Sequence, residues 1–155
     1  MTWFTPKGNK LVGYFDMINV NDRELYDIKT VSSGSMKLRE KAPGVMDALQ
    51  VKIYATMLKV VSNLELRGIK VIYVGLGDKV CESFDVPFED MTDFINNQAD
   101  FLYKCLDEKR TPKGEPLAAW ECSYCILADS CPDKISRAEE AATKAMLTGG
   151  LYEET

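Results

Sequence analysis

Leu11-Val12-Gly13-Tyr14-Phe15-Asp16-Met17-Ile18-Asn19-Val20, Asn21-Asp22 and, after Arg23, Glu24-Leu25-Tyr26-Asp27-Ile28-Lys29-Thr30 form the stretch whose reading decides the fold. Both runs are rich in β-branched and aromatic residues and flank a polar pair with turn character, so they predict a β-hairpin. With a two-residue turn at Asn21-Asp22, Val20 faces Arg23 and Asp16 faces Asp27. Side chains alternate faces along a strand, so Lys29 shares the face of Asp27. A four-residue turn keeps this convergence; a three-residue loop breaks it. Two carboxylates meeting on one patch of sheet suit a hard cation such as Mg²⁺. A cross-strand charge pair on a solvated face is the plain alternative. Against it, Asp16 and Asp27 sit among Tyr14, Phe15, Met17, Ile18, Leu25, Tyr26 and Ile28, where an unpaired carboxylate is costly.

The chain has 155 residues, enough for one domain with a real core, and the sequence predicts a single domain over 1–155. No apolar run approaches membrane-spanning length, so no membrane partner is expected. The net charge of -5 does not advertise nucleic-acid binding, although local fields matter more than the sum. Five cysteines without a recognisable secretory signal point to a reducing, cytoplasmic compartment, where metal binding or packing precedes disulfides. There is no histidine, which removes Ser-His and Cys-His nucleophile schemes and histidine zinc ligation.

Beyond the hairpin, Met46, Leu49, Ile53, Met57, Val60 and Leu64 recur at helical spacing and predict one buried stripe. Gly68 is the expected left-handed stop for this helix. Two strands follow, over 69–75 and 79–86, joined around Gly77-Asp78. Pro87 opens a second helical stretch to about residue 108, with Met91, Phe94, Ile95, Leu102, Cys105 and Leu106 as its apolar face. A cysteine-bearing segment occupies about 120–133, and an Ala-rich helix about 134–147. The core then spans about 11–108. This order predicts an α+β fold with a mixed sheet flanked by helices.

Gln50 and Tyr54 lie one turn apart on the first helix, beside its apolar stripe, where they could reach a bound phosphate or orient the lysine. A surface glutamine and a half-buried tyrosine are the plain reading. Cys122, Cys125 and Cys131 form C-x2-C-x5-C, a spacing that suits zinc or an iron–sulfur cluster. Either centre takes four ligands. Cys105 and Cys81 are the remaining thiols, and the fourth ligand can also come from outside the chain. The basic runs Lys37, Arg39, Lys41 and Lys109, Arg110, Lys113 are candidate contacts to a nucleic-acid backbone, or simply solvated.

Taken in order, Gly13-x-x-Asp16, Asp27-x-Lys29-Thr30, Gln50-x3-Tyr54 and C-x2-C-x5-C resemble the PD-(D/E)XK nuclease superfamily. The likeness is to its RecB/AddB-like iron–sulfur branch, which includes the CRISPR-associated RecB-like exonucleases. It runs from about Leu11 to Cys131. The resemblance implies a restriction-endonuclease-like fold and a Mg²⁺- or Mn²⁺-dependent DNA exonuclease. Asp16, Asp27 and the Ile28 carbonyl would be its metal ligands. Lys29 would position or activate the attacking water, with Gln50 and Tyr54 completing the site. Cys122, Cys125 and Cys131 would hold a [4Fe–4S] cluster on a C-terminal tail, with structural Zn²⁺ as the alternative. Family members also begin with a helical segment that carries a cluster cysteine and, further on, an active-site histidine or glutamate. Residues 1–10 contain no Cys, His, Asp or Glu. A fragment, a shortened variant or a partnered form is therefore expected: a homo-oligomer covering the Leu11–Val20 stretch, or a subunit working with a partner nuclease, helicase or integrase. Two other readings use the same residues. One is a DNA-end-binding adaptor that cleaves poorly; the other is a zinc-stapled interaction module.

Overall fold

The computed structural model describes residues 1–32, 42–77 and 80–110, and beyond them 112, 122–123, 125–126, 128–131 and 134. In chain order the elements are β1 (Thr2–Phe4), β2 (Lys10–Val12), β3 (Met17–Asn19), β4 (Glu24–Ser32), α1 (Val45–Ser62), β5 (Gly68–Leu76), β6 (Cys81–Asp85) and α2 (Thr92–Asp107). All of them belong to one compact unit, Met1–Asp107; Glu108–Thr155 forms a second. Lys37, Arg39, Lys41, Asp78, Lys113 and the helix expected over 134–147 lie outside the described residues, except Lys134.

The sheet order is β3-β4-β5-β6. β4 runs parallel to β5 and α1 makes the crossover, while β3 and β6 pair antiparallel at the edges. This is the mixed sheet the sequence predicts. Along β4, Leu25, Asp27 and Val31 are buried; so are Ile69, Val71 and Tyr73 on β5. They pack with Val51, Ala55 and Leu58 of α1 in one apolar core.

The hairpin register is the expected one. Met17 pairs with Tyr26, Ile18 with Leu25 and Asn19 with Glu24, a register that sets Asp16 across from Asp27. The loop has four residues, Val20 to Arg23, and Arg23 closes it in the left-handed region at φ 57°. The Asn19 side-chain carbonyl accepts from the N–H groups of Asn21 (3.1 Å) and Asp22 (3.3 Å), which shapes the turn.

The run from Leu11 to Val20 is not one strand. Lys10–Val12 pairs instead with Thr2–Phe4 in a separate two-stranded sheet, and β3 starts afresh at Met17. The break begins at Gly13. A Cβ there would lie 3.2 Å from the Tyr54 ring and 3.3 Å from the Met57 sulfur, so a larger residue would have to push these side chains aside for the backbone to lie this close to α1. The first ten residues thus carry a strand that their composition did not announce. Trp3 is its anchor: it is 4% exposed, packs with Met57, Met91 and Ile95, and donates its indole N–H to Asn96 Oδ1 at 2.9 Å. Asp100 on α2 holds the same hairpin through Thr5 and Asn9, both at 2.7 Å, and these bonds draw its carboxyl below the usual carboxylate range.

The helix faces differ from the expected ones. α1 buries Val51, Ala55, Thr56, Met57 and Leu58, while Met46 and Val60 are exposed. One side packs on the sheet; Leu49, Ile53 and Met57 pack towards Trp3 and α2. A helix with two neighbours needs two apolar stripes. On α2, Ile95, Ala99 and Cys105 are buried, whereas Phe94, Leu102 and Leu106 are exposed. α1 ends at Ser62, not near Gly68. Asn63 takes the left-handed cap at φ 49°, with its N–H on the Leu58 carbonyl. Gly68 opens β5, where a Cβ would lie 3.2 Å from Glu24 Oε1 of the neighbouring strand.

The start of α1 is built unusually. Its N-cap, Gly44, has no side chain to offer. The Gly44 N–H donates instead to the Tyr73 hydroxyl (2.8 Å), which donates to Asp47 Oδ2 (2.5 Å). Tyr73 is fully buried, so its hydroxyl serves as the cap from the neighbouring strand. Tyr73→Phe should cost about 1–3 kcal/mol by leaving the Gly44 donor and the Asp47 carboxylate without this partner. Denaturant unfolding measures it, and an unchanged midpoint would remove the hydroxyl from the helix start.

Candidate active site

β4 and α1 supply the candidate site. Asp27 and Lys29 stand two apart on β4, on the side of the sheet that faces α1. Gln50 and Tyr54 stand one turn apart on α1. The structure links these side chains in series: Lys29 Nζ lies 2.9 Å from Asp27 Oδ2 and donates to Gln50 Oε1 at 2.7 Å, and Gln50 Nε2 donates to the Tyr54 hydroxyl at 2.9 Å. The Tyr54 ring backs onto Gly13, so the loop that carries Asp16 rests on the same helix.

Asp16 lies just before β3. Its Oδ2 accepts the Ile28 N–H at 2.7 Å, taking the place of a ladder carbonyl where the strand pairing stops. This bond fixes Asp16 beside the Asp27-Ile28-Lys29 segment.

Asp27 is only 2% exposed. Burial raises its carboxyl above the usual carboxylate range; the nearby Lys29 charge opposes this, and the negative charges of Asp16 and Asp47 add to it. For Lys29, burial disfavours the ammonium. The close Asp27 carboxylate, with Asp47 and Asp16 beyond it, outweighs burial and raises its pKa. Lys29 is therefore an ammonium here, suited to orienting a water or countering phosphate charge rather than to accepting a proton. Although Lys29 is close enough for an ion pair, its approach misses hydrogen-bond geometry. Asp27 Oδ2 is left as a buried oxygen without a hydrogen-bond partner. Such an atom is costly in a folded protein unless something else satisfies it.

A divalent cation would satisfy this oxygen. Asp27 Oδ2 would be its first ligand, and the Asp16 carboxylate and the Ile28 carbonyl would be further oxygen donors. All three are hard oxygen donors of the kind Mg²⁺ and Mn²⁺ take. Only two carboxylates belong to this set, and no group of three or more Cys, His, Asp or Glu suited to a metal occurs among the described residues.

The sequence reading missed Asp47. It lies three residues before Gln50 and seven before Tyr54, so all three share one helix face. Its negative charge acts on both Asp27 and Lys29. The spacing Asp47-x2-Gln50-x3-Tyr54 was the available signal.

The family profile of the PD-(D/E)XK nuclease superfamily matches residues 3–132. The chain belongs to this superfamily. Its mixed sheet and two helices are consistent with the restriction-endonuclease-like fold. Among solved structures, the crystal structure of SSO0001 aligns at a TM-score of 0.49 with 23% identity, over 82% of this chain and 53% of that one. The chain thus spans about half the length of that structure. No curated protein matches it.

All five cysteines are free. Within the second unit, Cys122 is buried, Cys131 half-buried and Cys125 exposed; the Cys125 N–H donates to the Cys122 carbonyl at 3.3 Å. The described residues do not gather Cys122, Cys125 and Cys131 into a metal-holding group. In the first unit, Cys105 is buried on α2 and Cys81 is exposed on β6. Arg110 is paired with Glu108 at 2.5 Å, and no helix among the described residues is long and apolar enough to cross a membrane.

Proposed function

We propose that this chain is a Mg²⁺- or Mn²⁺-dependent DNA nuclease that degrades its substrate from an end. The observation that carries the reading is the buried Asp27 carboxylate, whose Oδ2 accepts no hydrogen bond and lies 2.9 Å from the Lys29 ammonium, with Asp16 held across from it. Asp16, Asp27 and the Ile28 carbonyl would hold the cation, which when bound would supply polarisation of the scissile phosphate and a lowered pKa for a nearby water. Lys29 orients the attacking water and counters the charge that develops on the phosphate. Gln50 keeps the ammonium aimed at that position, and Tyr54 keeps Gln50 in its rotamer. End-labelled single- and double-stranded DNA, incubated with purified protein and either Mg²⁺, Mn²⁺ or EDTA, tests this directly. Metal-dependent release of short products supports the nuclease; metal-independent DNA-end binding without cleavage would replace it with an adaptor.

We further propose membership of the RecB/AddB-like iron–sulfur branch, with Cys122, Cys125 and Cys131 as cluster ligands. The support is their spacing and their order after the Asp27-x-Lys29 and Gln50-x3-Tyr54 motifs. Anaerobically purified protein should be brown and contain iron with acid-labile sulfide. Colourless protein with stoichiometric zinc would make the site a structural zinc centre, and folded protein with neither metal would contradict both.

A further inference from the structure

Tyr14 is 80% exposed, the most exposed aromatic side chain among the described residues. The residues that flank it in sequence are held on both sides. On one side, Gly13 donates its N–H to the Met1 carbonyl at 3.0 Å and lies against the Tyr54 ring and Met57. On the other, Phe15 packs into the core and Asp16 is bonded to the Ile28 N–H at 2.7 Å. The backbone of residues 13–16 is therefore fixed, and Tyr14 projects from it into solvent. Such exposure gains nothing for folding, because burial of an aromatic ring is what stabilises. It lies two residues from Asp16, so its Cα is within about 7 Å of that carboxylate's Cα.

Resting on the nuclease reading above, we propose that Tyr14 is a stacking platform for the nucleobase that adjoins the cleaved phosphate. An exposed ring on a tied-down backbone two residues from Asp16 is within reach of the base of a nucleotide whose phosphate sits at that carboxylate. Every base offers a π-face, so the contact is sequence-tolerant. A base inside a duplex is already stacked between its neighbours, so the platform favours an unpaired nucleotide. Tyr14 thereby makes single-stranded or frayed DNA ends the preferred substrate. It touches the base and not the reacting atoms, so it sets affinity and strand preference.

The test compares wild type, Tyr14→Phe and Tyr14→Ala on Mg²⁺-dependent cleavage of single-stranded oligonucleotides. Each oligonucleotide carries either a normal or an abasic nucleotide beside the cleaved linkage. Tyr14→Ala should raise KM about tenfold, the usual scale for one lost base–aromatic stack, with kcat nearly unchanged. Tyr14→Phe should behave as wild type. The abasic substrate should cost wild type the same factor and cost Tyr14→Ala nothing more, because both remove one contact. Unchanged KM in Tyr14→Ala, or losses that multiply when combined with the abasic site, would overturn the stacking role while leaving the nuclease intact. Wild type that cleaves no DNA would instead overturn the nuclease reading and this proposal with it.

Discussion

Asp27→Asn should abolish metal-dependent cleavage and leave the protein at least as stable as wild type. Loss of activity of roughly a thousandfold or more follows if Asp27 Oδ2 is the central ligand, since the cation supplies several kcal/mol of transition-state stabilisation. Stability should move the other way, because the ionised carboxylate is unfavourable where it sits. It is 2% exposed, and burial together with Asp16 and Asp47 holds its pKa up. Removing its charge would normally strand the partner, but Lys29 is 27% exposed and keeps its bond to Gln50. The ammonium therefore has solvent and one acceptor left. Parallel thermal melts and cleavage assays on the purified variant check both halves. Undiminished cleavage would take Asp27 out of the mechanism, and a collapse in melting temperature would show that the carboxylate is structural.

Lys29→Met should also lose cleavage, by about a hundredfold or more, but with a different stability signature. This substitution leaves the deeply buried Asp27 without its counter-charge. Breaking a buried pair from that side typically costs about 3 kcal/mol at neutral pH. The loss should be pH-dependent in a fixed direction. The folded-state pKa of Asp27 is already raised and rises further without Lys29. Between the unfolded value near 3.8 and that raised value, the native state binds more protons than the unfolded one. Stability therefore falls as pH rises through the window and recovers as pH drops. The gap in melting temperature between Lys29→Met and wild type should narrow towards pH 4. Metal affinity separates the two variants: Mn²⁺ binding should survive in Lys29→Met and disappear in Asp27→Asn. A pH-independent deficit, or equal loss of Mn²⁺ in both, would contradict the assigned roles.

Much of the site's frame was legible because it rests on short-range rules. The alternation of Asp27 and Lys29 follows from strand geometry, and the Asp16–Asp27 register survives in a four-residue loop because an even loop length preserves parity. Gln50 and Tyr54 follow from helical spacing. Tertiary choices were less legible. α1 carries apolar residues on two sides, so its sequence could not say which stripe meets the sheet and which meets Trp3. The break at Gly13 depends on a neighbour, Tyr54, that is distant in sequence. Asn63 rather than Gly68 stops α1 because an asparagine tolerates the left-handed region and comes first. Asp47 escaped notice because it also looks like an ordinary acidic residue in a first helical turn, where the helix dipole favours it. Its approach to Asp27 and Lys29 appears only once Tyr73 folds the start of α1 onto β5.

The central claim is that a divalent cation on Asp16 and Asp27 contacts the scissile phosphate during cleavage. A DNA substrate with a single stereopure phosphorothioate at the cleaved linkage tests it most directly. With the metal-facing oxygen replaced by sulfur, cleavage in Mg²⁺ should fall sharply, and Mn²⁺, which accepts sulfur more readily, should restore it. The other stereoisomer should show no such dependence on the metal. Equal ratios of phosphorothioate to phosphate rate in Mg²⁺ and Mn²⁺ for both isomers, or cleavage that persists in EDTA, would contradict the account.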